Sequence, residues 1–120
     1  MSEMINETLR TMPLLALRGL SVFPGMLLTF DVERSASVAA LNMAVRTDQL
    51  IFLAAQKDPL ADAPDEKDIY HVGTVCRVRQ QLHQPRGSIT RVLVEGLYRA
   101  EAVSMNLDGK GYTANIEKLL

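Results

Sequence analysis

The chain has almost none of the residues on which metal, redox or covalent chemistry is built. Cys76 is its only cysteine, and His71 and His83 are its only histidines. A single cysteine forms no internal disulfide, which excludes a disulfide-stapled secreted domain. A zinc site needs several His, Cys or acidic ligands converging on one point. The two histidines fall on one strand face but roughly 40 Å apart along an extended chain, so no metal ligand is assigned. Tryptophan is absent and there are three Phe and three Tyr, so aliphatic side chains must fill the core. The formal net charge is −1, which implies no global attraction to nucleic acid or to an anionic membrane. No apolar run approaches the ~20 residues of a helical membrane span. The opening stretch MSEMINETLRTMPLLAL carries Glu3 and Glu7 and is followed by Arg18, a poor signal peptide. A reducing cytoplasm is the expected compartment.

What remains is ordinary globular material. The chain's 120 residues, 48% of them apolar, suit one domain able to bury roughly two-thirds of its unfolded surface. Residues 1–12 read as a flexible tail and 13–120 as the folded domain. PLLAL (13–17) and LLTFDV (27–32) are strand-like. Between them, RGLSVFPGM (18–26) is loop chemistry punctuated by Gly19, Pro24 and Gly25. Ser35 or Ser37 is placed to cap a helix whose apolar face holds Val38, Leu41 and Val45. LIFLAA (50–55) is a continuous apolar run, hence a strand covered on both faces. The loop 56–68, with two prolines and five acids, has no period and reads as solvated surface. Two long strands follow, joined by a turn at 83–88 into an antiparallel hairpin. Val72, Thr74, Cys76, Val78 and Leu82 are expected on one face of the first. On the second, Val92, Val94, Tyr98, Ala100 and Ala102 are expected inward, and Arg91, Glu95, Arg99 and Glu101 outward. Gly96 then leaves an inward slot where a long strand bends. After a turn at Asp108–Gly109, Tyr112, Ala114 and Ile116 alternate in a last strand. Six strands and one helix make the chain mainly β, and a closed or half-closed barrel removes exposed edges.

No catalytic constellation emerges. Cys76 and His71 point to opposite faces of one strand, so the cysteine lacks a base and reads as buried and structural. There is no G-x-S-x-G, and DGKGY places Gly111 where a phosphate loop needs Ser or Thr. Glu95 and Glu101 lie ~20 Å apart along their strand. No catalytic residue and no cofactor site is assigned. Two surfaces carry binding candidates. Arg77, Arg79, Arg86, Arg91 and Arg99 face a single acid, Glu95, between 77 and 99. Of these, Arg77, Arg79, Arg86 and Arg91 make an alternative polyanion patch for an RNA-binding reading, although no aromatic stacking platform interleaves them. In the loop at 18–26, Leu20, Val22, Phe23 and Met26 cannot all be inside, and an exposed apolar loop suits an unfolded polypeptide.

Several segments together resemble one family. P-L-x-x-L-R-x-x-x-x-F-P-G-M, A-Q-K, V-G-T-V and V-L-V-E-G-L-x-R-A are each weak, but in this order and spacing they are similar to the amino-terminal domain of the ATP-dependent protease Lon, from about Pro13 to Leu119. Ala16 and Thr29 depart from that pattern, standing where related sequences often carry proline; both restore a backbone N–H to a strand. The resemblance implies a six-stranded pseudo-barrel with one helix, PUA-like and Lon N-terminal-domain-like. It implies a non-catalytic recognition and assembly module that binds unfolded or tagged polypeptides. Its partners would be the ATPase and protease domains of a parent chain, hexameric when full length, with no membrane. The phosphate loop and serine–lysine pair of such a protease are absent from these residues, so an excised domain and a stand-alone relative both stay open. The alternatives are a stand-alone PUA-like RNA binder and a purely structural self-association element.

Overall fold

The first strand starts earlier than its apolar core. In the computed structural model, which describes residues 9–61, 63–83, 89–108 and 111–119, β1 spans Leu9–Leu17. The tail expected over 1–12 therefore gives up residues 9–12 to the sheet; residues 1–8 lie outside the described residues. The polar start of β1 is strand because β6 (Thr113–Lys118) pairs with it from Leu9 to Pro13. Tertiary pairing overrides local composition there. Pro13 sits where that pairing ends and pairing with β3 begins at Leu14. There its missing N–H costs little.

Among the described residues the other elements are β2 (Leu27–Val32), α1 (Ser35–Arg46), β3 (Leu50–Ala55), a 3-10 turn (Glu66–Asp68), β4 (Val72–His83) and β5 (Thr90–Asn106). The strands form one six-stranded sheet in the order β2-β5-β4-β3-β1-β6, with β5 pairing also to β6. β5 makes this closure feasible because it is 17 residues long. One of its edges carries β4; the other carries β2 along Thr90–Glu95 and β6 along Ala100–Asn106. The circuit β1–β3–β4–β5–β6 thus returns on itself as five strands, with β2 paired to β5 outside it. The mainly-β fold of six strands and one helix is as expected, and the closure involves five of the six strands. β4 and β5 form the expected antiparallel hairpin, and β1 and β3 run parallel. Of the turns expected at 83–88 and at Asp108–Gly109, residues 84–88 and Gly109 lie outside the described residues.

Two apolar clusters lie on the two faces of the central strands. Met12, Leu14, Phe52, Val75, Ala100 and Ile116 belong to one, drawn from all five strands of the circuit, and fill its interior. Leu15, Leu17, Ile51, Leu53, Cys76 and Val94 belong to the other, beneath α1 and β2. β3 is covered on both sides, as its continuous apolar run requires: Ile51 to Ala54 are all buried. The helix therefore lies over the outside of the circuit. Its inward residues are Ala40, Leu41 and Ala44, flanked by Val38 and Val45. The serine caps expected for it do not form. Arg34 is the N-cap without a side-chain capping bond, and Ser35 is already helical. The Arg34 guanidinium donates instead to the Ala16 carbonyl at 2.8 Å, pinning the helix start to β1.

Two register shifts correct the expected faces. On β4, Val78 pairs with Val94 but Gln80 pairs with Leu93, so Arg79 is an extra residue. A one-residue bulge turns every later side chain to the other face. Leu82, expected beside Val78, is consequently 54% exposed. On β5, Cys76 pairs with Gly96 and Val75 with Tyr98, which leaves Leu97 unopposed. Val92 and Val94 join the cluster under α1, whereas Tyr98, Ala100 and Ala102 turn to the barrel interior. Arg99, expected outward with Glu95, falls instead on the side of the 18–26 loop.

Cys76 is fully buried, and desolvation pushes its thiol pKa up to about 12. His71 is surface-exposed with Nε2 3.6 Å from Glu66. At pH 8 the raised pKa leaves almost no thiolate, so a thiol-specific reagent should label the native chain negligibly and the urea-unfolded chain completely. Rapid labelling of the native chain, followed by mass spectrometry, would contradict this burial.

Candidate functional site

The loop between β1 and β2 is apolar yet anchored. Phe23-Pro24-Gly25-Met26 closes a tight turn in which the Met26 N–H donates to the Phe23 carbonyl at 3.0 Å. Gly25 takes φ +87°, a left-handed value that glycine adopts freely, and Pro24 supplies the fixed φ before it. The turn then docks on β5. The Gly25 N–H donates to the Gly96 carbonyl (2.9 Å) and the Gly96 N–H to the Met26 carbonyl (2.8 Å). A Cβ at position 96 would stand 2.3 Å from the Phe23 carbonyl oxygen and 3.0 Å from its carbon. The slot assigned to strand bending is thus filled by loop backbone, so the glycine of V-E-G-L and the F-P-G of the loop are two halves of one contact.

V-G-T-V contributes the other anchor. The buried Thr74 hydroxyl donates to the Val22 carbonyl at 2.6 Å, and Arg99 Nη1 donates to the Thr74 oxygen at 3.4 Å. The Arg99 guanidinium lies over the Phe23 ring, 5.3 Å from its centre, a favourable cation–π contact. Gly73 is required by packing: a Cβ there would meet the Leu53 carbonyl at 2.3 Å. The glutamine of A-Q-K is buried as well. Its side-chain amide donates to the carbonyls of Asp58 (3.1 Å) and Ala61 (2.9 Å), folding the acidic loop back against β3. No cluster of three or more His, Cys, Asp or Glu side chains converges among the described residues.

Of the four loop residues proposed from sequence, Leu20, Phe23 and Met26 are exposed, Phe23 by 51%. Val22 is not: it is 4% exposed and belongs to the core beneath α1. The loop forms one wall of a groove of about 370 Å³. Leu17, Leu53 and Ala55 line it, and Tyr70, His71 and Val72 form part of the lining beyond the loop. Tyr70 is 52% exposed and carries Lys57 over its ring at 5.7 Å. Sequence reasoning missed Tyr70 and Val72. An aromatic beside turn residues was a signal, but its place in the same groove as Phe23 depends on the contact of its own segment with the end of β3, where the Tyr70 N–H donates to the Ala55 carbonyl at 2.9 Å.

Two arginines of the alternative patch are paired with acids. Arg91 donates to Asp31 at 3.0 and 3.5 Å, and that hydrogen bond holds the Asp31 carboxyl below its usual range. Arg79 pairs with Glu95 at 3.3 Å, as expected for an outward Glu95. Arg77 stands directly opposite Glu95, and Arg86 lies outside the described residues.

Comparison with known proteins places this architecture. The family described as "ATP-dependent protease La (LON) substrate-binding domain" matches residues 11–120. The chain belongs to the Lon substrate-binding domain family. It is 52% identical over 103 residues to the Lon protease of Bacillus thuringiensis (strain Al Hakam), covering 86% of this chain and 13% of that protein. It is 49% identical over 111 residues to Lon protease 1 of Bacillus subtilis (strain 168), covering 92% of this chain and 14% of that protein. The chain therefore spans about one-seventh of the length of these relatives. The fold is similar to the N-terminal domain of Mycobacterium avium complex Lon protease, with TM-score 0.73, 18% identity and coverage of 92% of this chain and 55% of that one. It is also similar to a Lon N-terminal domain protein from Xanthomonas campestris, with TM-score 0.70, 12% identity and coverage of 92% and 60%. The Lon match is to a substrate-binding domain rather than a catalytic one. Among the described residues no helix is long and apolar enough to cross a membrane.

Proposed function

We propose that this domain captures unfolded or tagged polypeptide in the groove between Phe23 and Tyr70 and holds it for the ATPase and protease domains of a Lon-type parent acting in the cytoplasm. The observation that carries this reading is the anchored apolar loop. Its backbone is fixed by Thr74 and Gly96, while Leu20, Phe23 and Met26 stay exposed. A flexible apolar loop would collapse onto the surface; a pinned one keeps its side chains available at little ordering cost. The half-open groove admits side chains of an extended segment, and its contacts are largely non-directional, as a receptor for many sequences needs.

Phe23→Ala and Tyr70→Ala should each weaken binding of a denatured, fluorescently labelled protein by about tenfold, the usual scale for truncating an aromatic side chain at an interface. Thermal stability should change little, because both rings are half exposed. Titration by fluorescence anisotropy, alongside a melting curve, separates the two effects. Unchanged affinity in both variants would remove the groove from the function.

A further inference from the structure

The groove holds a cation, Arg99, for which no carboxylate partner stands among the described residues. Arg99 lines it and is half buried. Its guanidinium makes one long hydrogen bond, to the Thr74 hydroxyl, and stacks on Phe23. Among the described residues it has no carboxylate partner. By contrast Arg79 and Arg91, both more open to solvent on the outer face of the hairpin, are each paired with an acid. A guanidinium carries five N–H donors in a planar fork that matches a carboxylate. Stacking on Phe23 holds that fork in place, so little freedom is lost when a ligand engages it. Lys57, above Tyr70 at the other aromatic, likewise lacks an acidic partner among the described residues. Two acids stand at the margin of the groove. Glu66 is beside His71, and Glu101 lies opposite the lining residue Val72, two positions along β5 from Arg99, yet neither forms an ion pair with the Arg99 guanidinium among the described residues.

The geometry points to a groove that selects an acidic side chain set next to an apolar one in an extended segment. The carboxylate engages Arg99, and the neighbouring aromatic or aliphatic side chain packs between Phe23 and Tyr70. This rests on the reading of the groove as a polypeptide site and adds charge selectivity to it. Apolar surface alone would bind neutral and basic segments equally well. An unpaired, partly desolvated guanidinium favours a carboxylate and repels lysine.

The test uses this chain and four labelled twelve-residue peptides, amidated at the C-terminus, that share one Phe-Leu core. They carry Asp, Asn or Lys two residues from the Phe; the fourth repeats the Asn peptide with a free C-terminal carboxylate. Anisotropy titrations at low salt should show the Asp peptide binding about tenfold tighter than the Asn peptide, the scale of one charge-assisted hydrogen-bonded pair, and the Lys peptide weakest. Raising the salt should shrink the difference. Arg99→Gln should abolish the Asp advantage while keeping the affinity for the Asn peptide within about threefold. Because Arg99 also braces Phe23, Arg99→Lys serves as a second variant: it retains charge without the fork and should keep part of the advantage. Equal affinity for Asp and Asn peptides overturns the carboxylate assignment while leaving the groove standing. So does a preference for the free C-terminal carboxylate over the internal Asp. An Asp advantage that persists in Arg99→Gln overturns it too. Failure of the groove itself has a different signature: Tyr70→Ala then leaves every peptide's affinity unchanged.

Discussion

Gly96→Ala should destabilise the domain by about 3 kcal/mol and abolish polypeptide binding in the same variant. The added methyl would sit 2.3 Å from the Phe23 carbonyl oxygen, and the atoms in its way are backbone rather than the end of a flexible side chain. The turn must lift, breaking the hydrogen bonds of 2.9 and 2.8 Å that tie Gly25 and Met26 to position 96. Overpacking of this kind costs about 1–3 kcal/mol, and each backbone bond broken at a partly buried site adds about 1 kcal/mol. Relaxation of the loop limits the sum. The adjacent charge gives the control. Glu95→Gln removes an exposed ion pair with Arg79, worth at most about 0.5 kcal/mol after solvent screening, and should leave binding intact. Urea titrations of the two variants read these values directly. If Gly96→Ala matched the parent chain in both stability and binding, the loop would not be anchored there.

The contrast between residues 95 and 96 shows what could be read from the sequence and what could not. The charge of Glu95 predicted an outward residue, and it lies beside Arg79 of the partner strand. Gly96 announced an empty slot, but the occupant of that slot comes from a loop some seventy residues earlier in the chain, and no local pattern links the two. The same limit governs the faces of the hairpin. Alternation placed Val78 and Val94 correctly and misplaced Leu82 and Arg99, because single extra residues at Arg79 and Leu97 invert the alternation and leave no mark in composition. Runs buried on both faces were legible: LIFLAA could be little else. Within the apolar loop, Val22 and Phe23 are chemically equivalent signals, and which one goes inside is decided by the hydroxyl of Thr74, 52 positions away. The apolar loop was therefore legible as a segment, and the burial of its individual residues was not. The lining at Tyr70 exists only once its segment is tied to the end of β3.

Phe52→Ala should have the largest effect on stability, about 4 kcal/mol, and little effect on binding by the molecules that remain folded. Phe52 is fully buried in the interior of the strand circuit, with few aromatics elsewhere to share the volume. Its ring fits against Gly73, where a Cβ would stand 3.0 Å from the ring edge. Removing so large a side chain loses its transfer free energy and leaves a cavity, together about 3–5 kcal/mol. For a domain whose total stability is of order 5–15 kcal/mol, the urea midpoint should fall sharply while the slope stays constant. Phe52→Leu, which restores most of the volume, should recover the greater part of the loss. The groove rests on the other face of the central strands, against Leu17, Leu53 and Val22. Peptide affinity measured at a temperature where Phe52→Ala is still folded should therefore equal that of the parent chain. A large loss of affinity in that folded variant would show that the interior and the groove are coupled through β3. The Phe52→Ala and Gly96→Ala variants together then separate the two jobs of the fold: one residue fills the circuit, and the other fixes the loop against it.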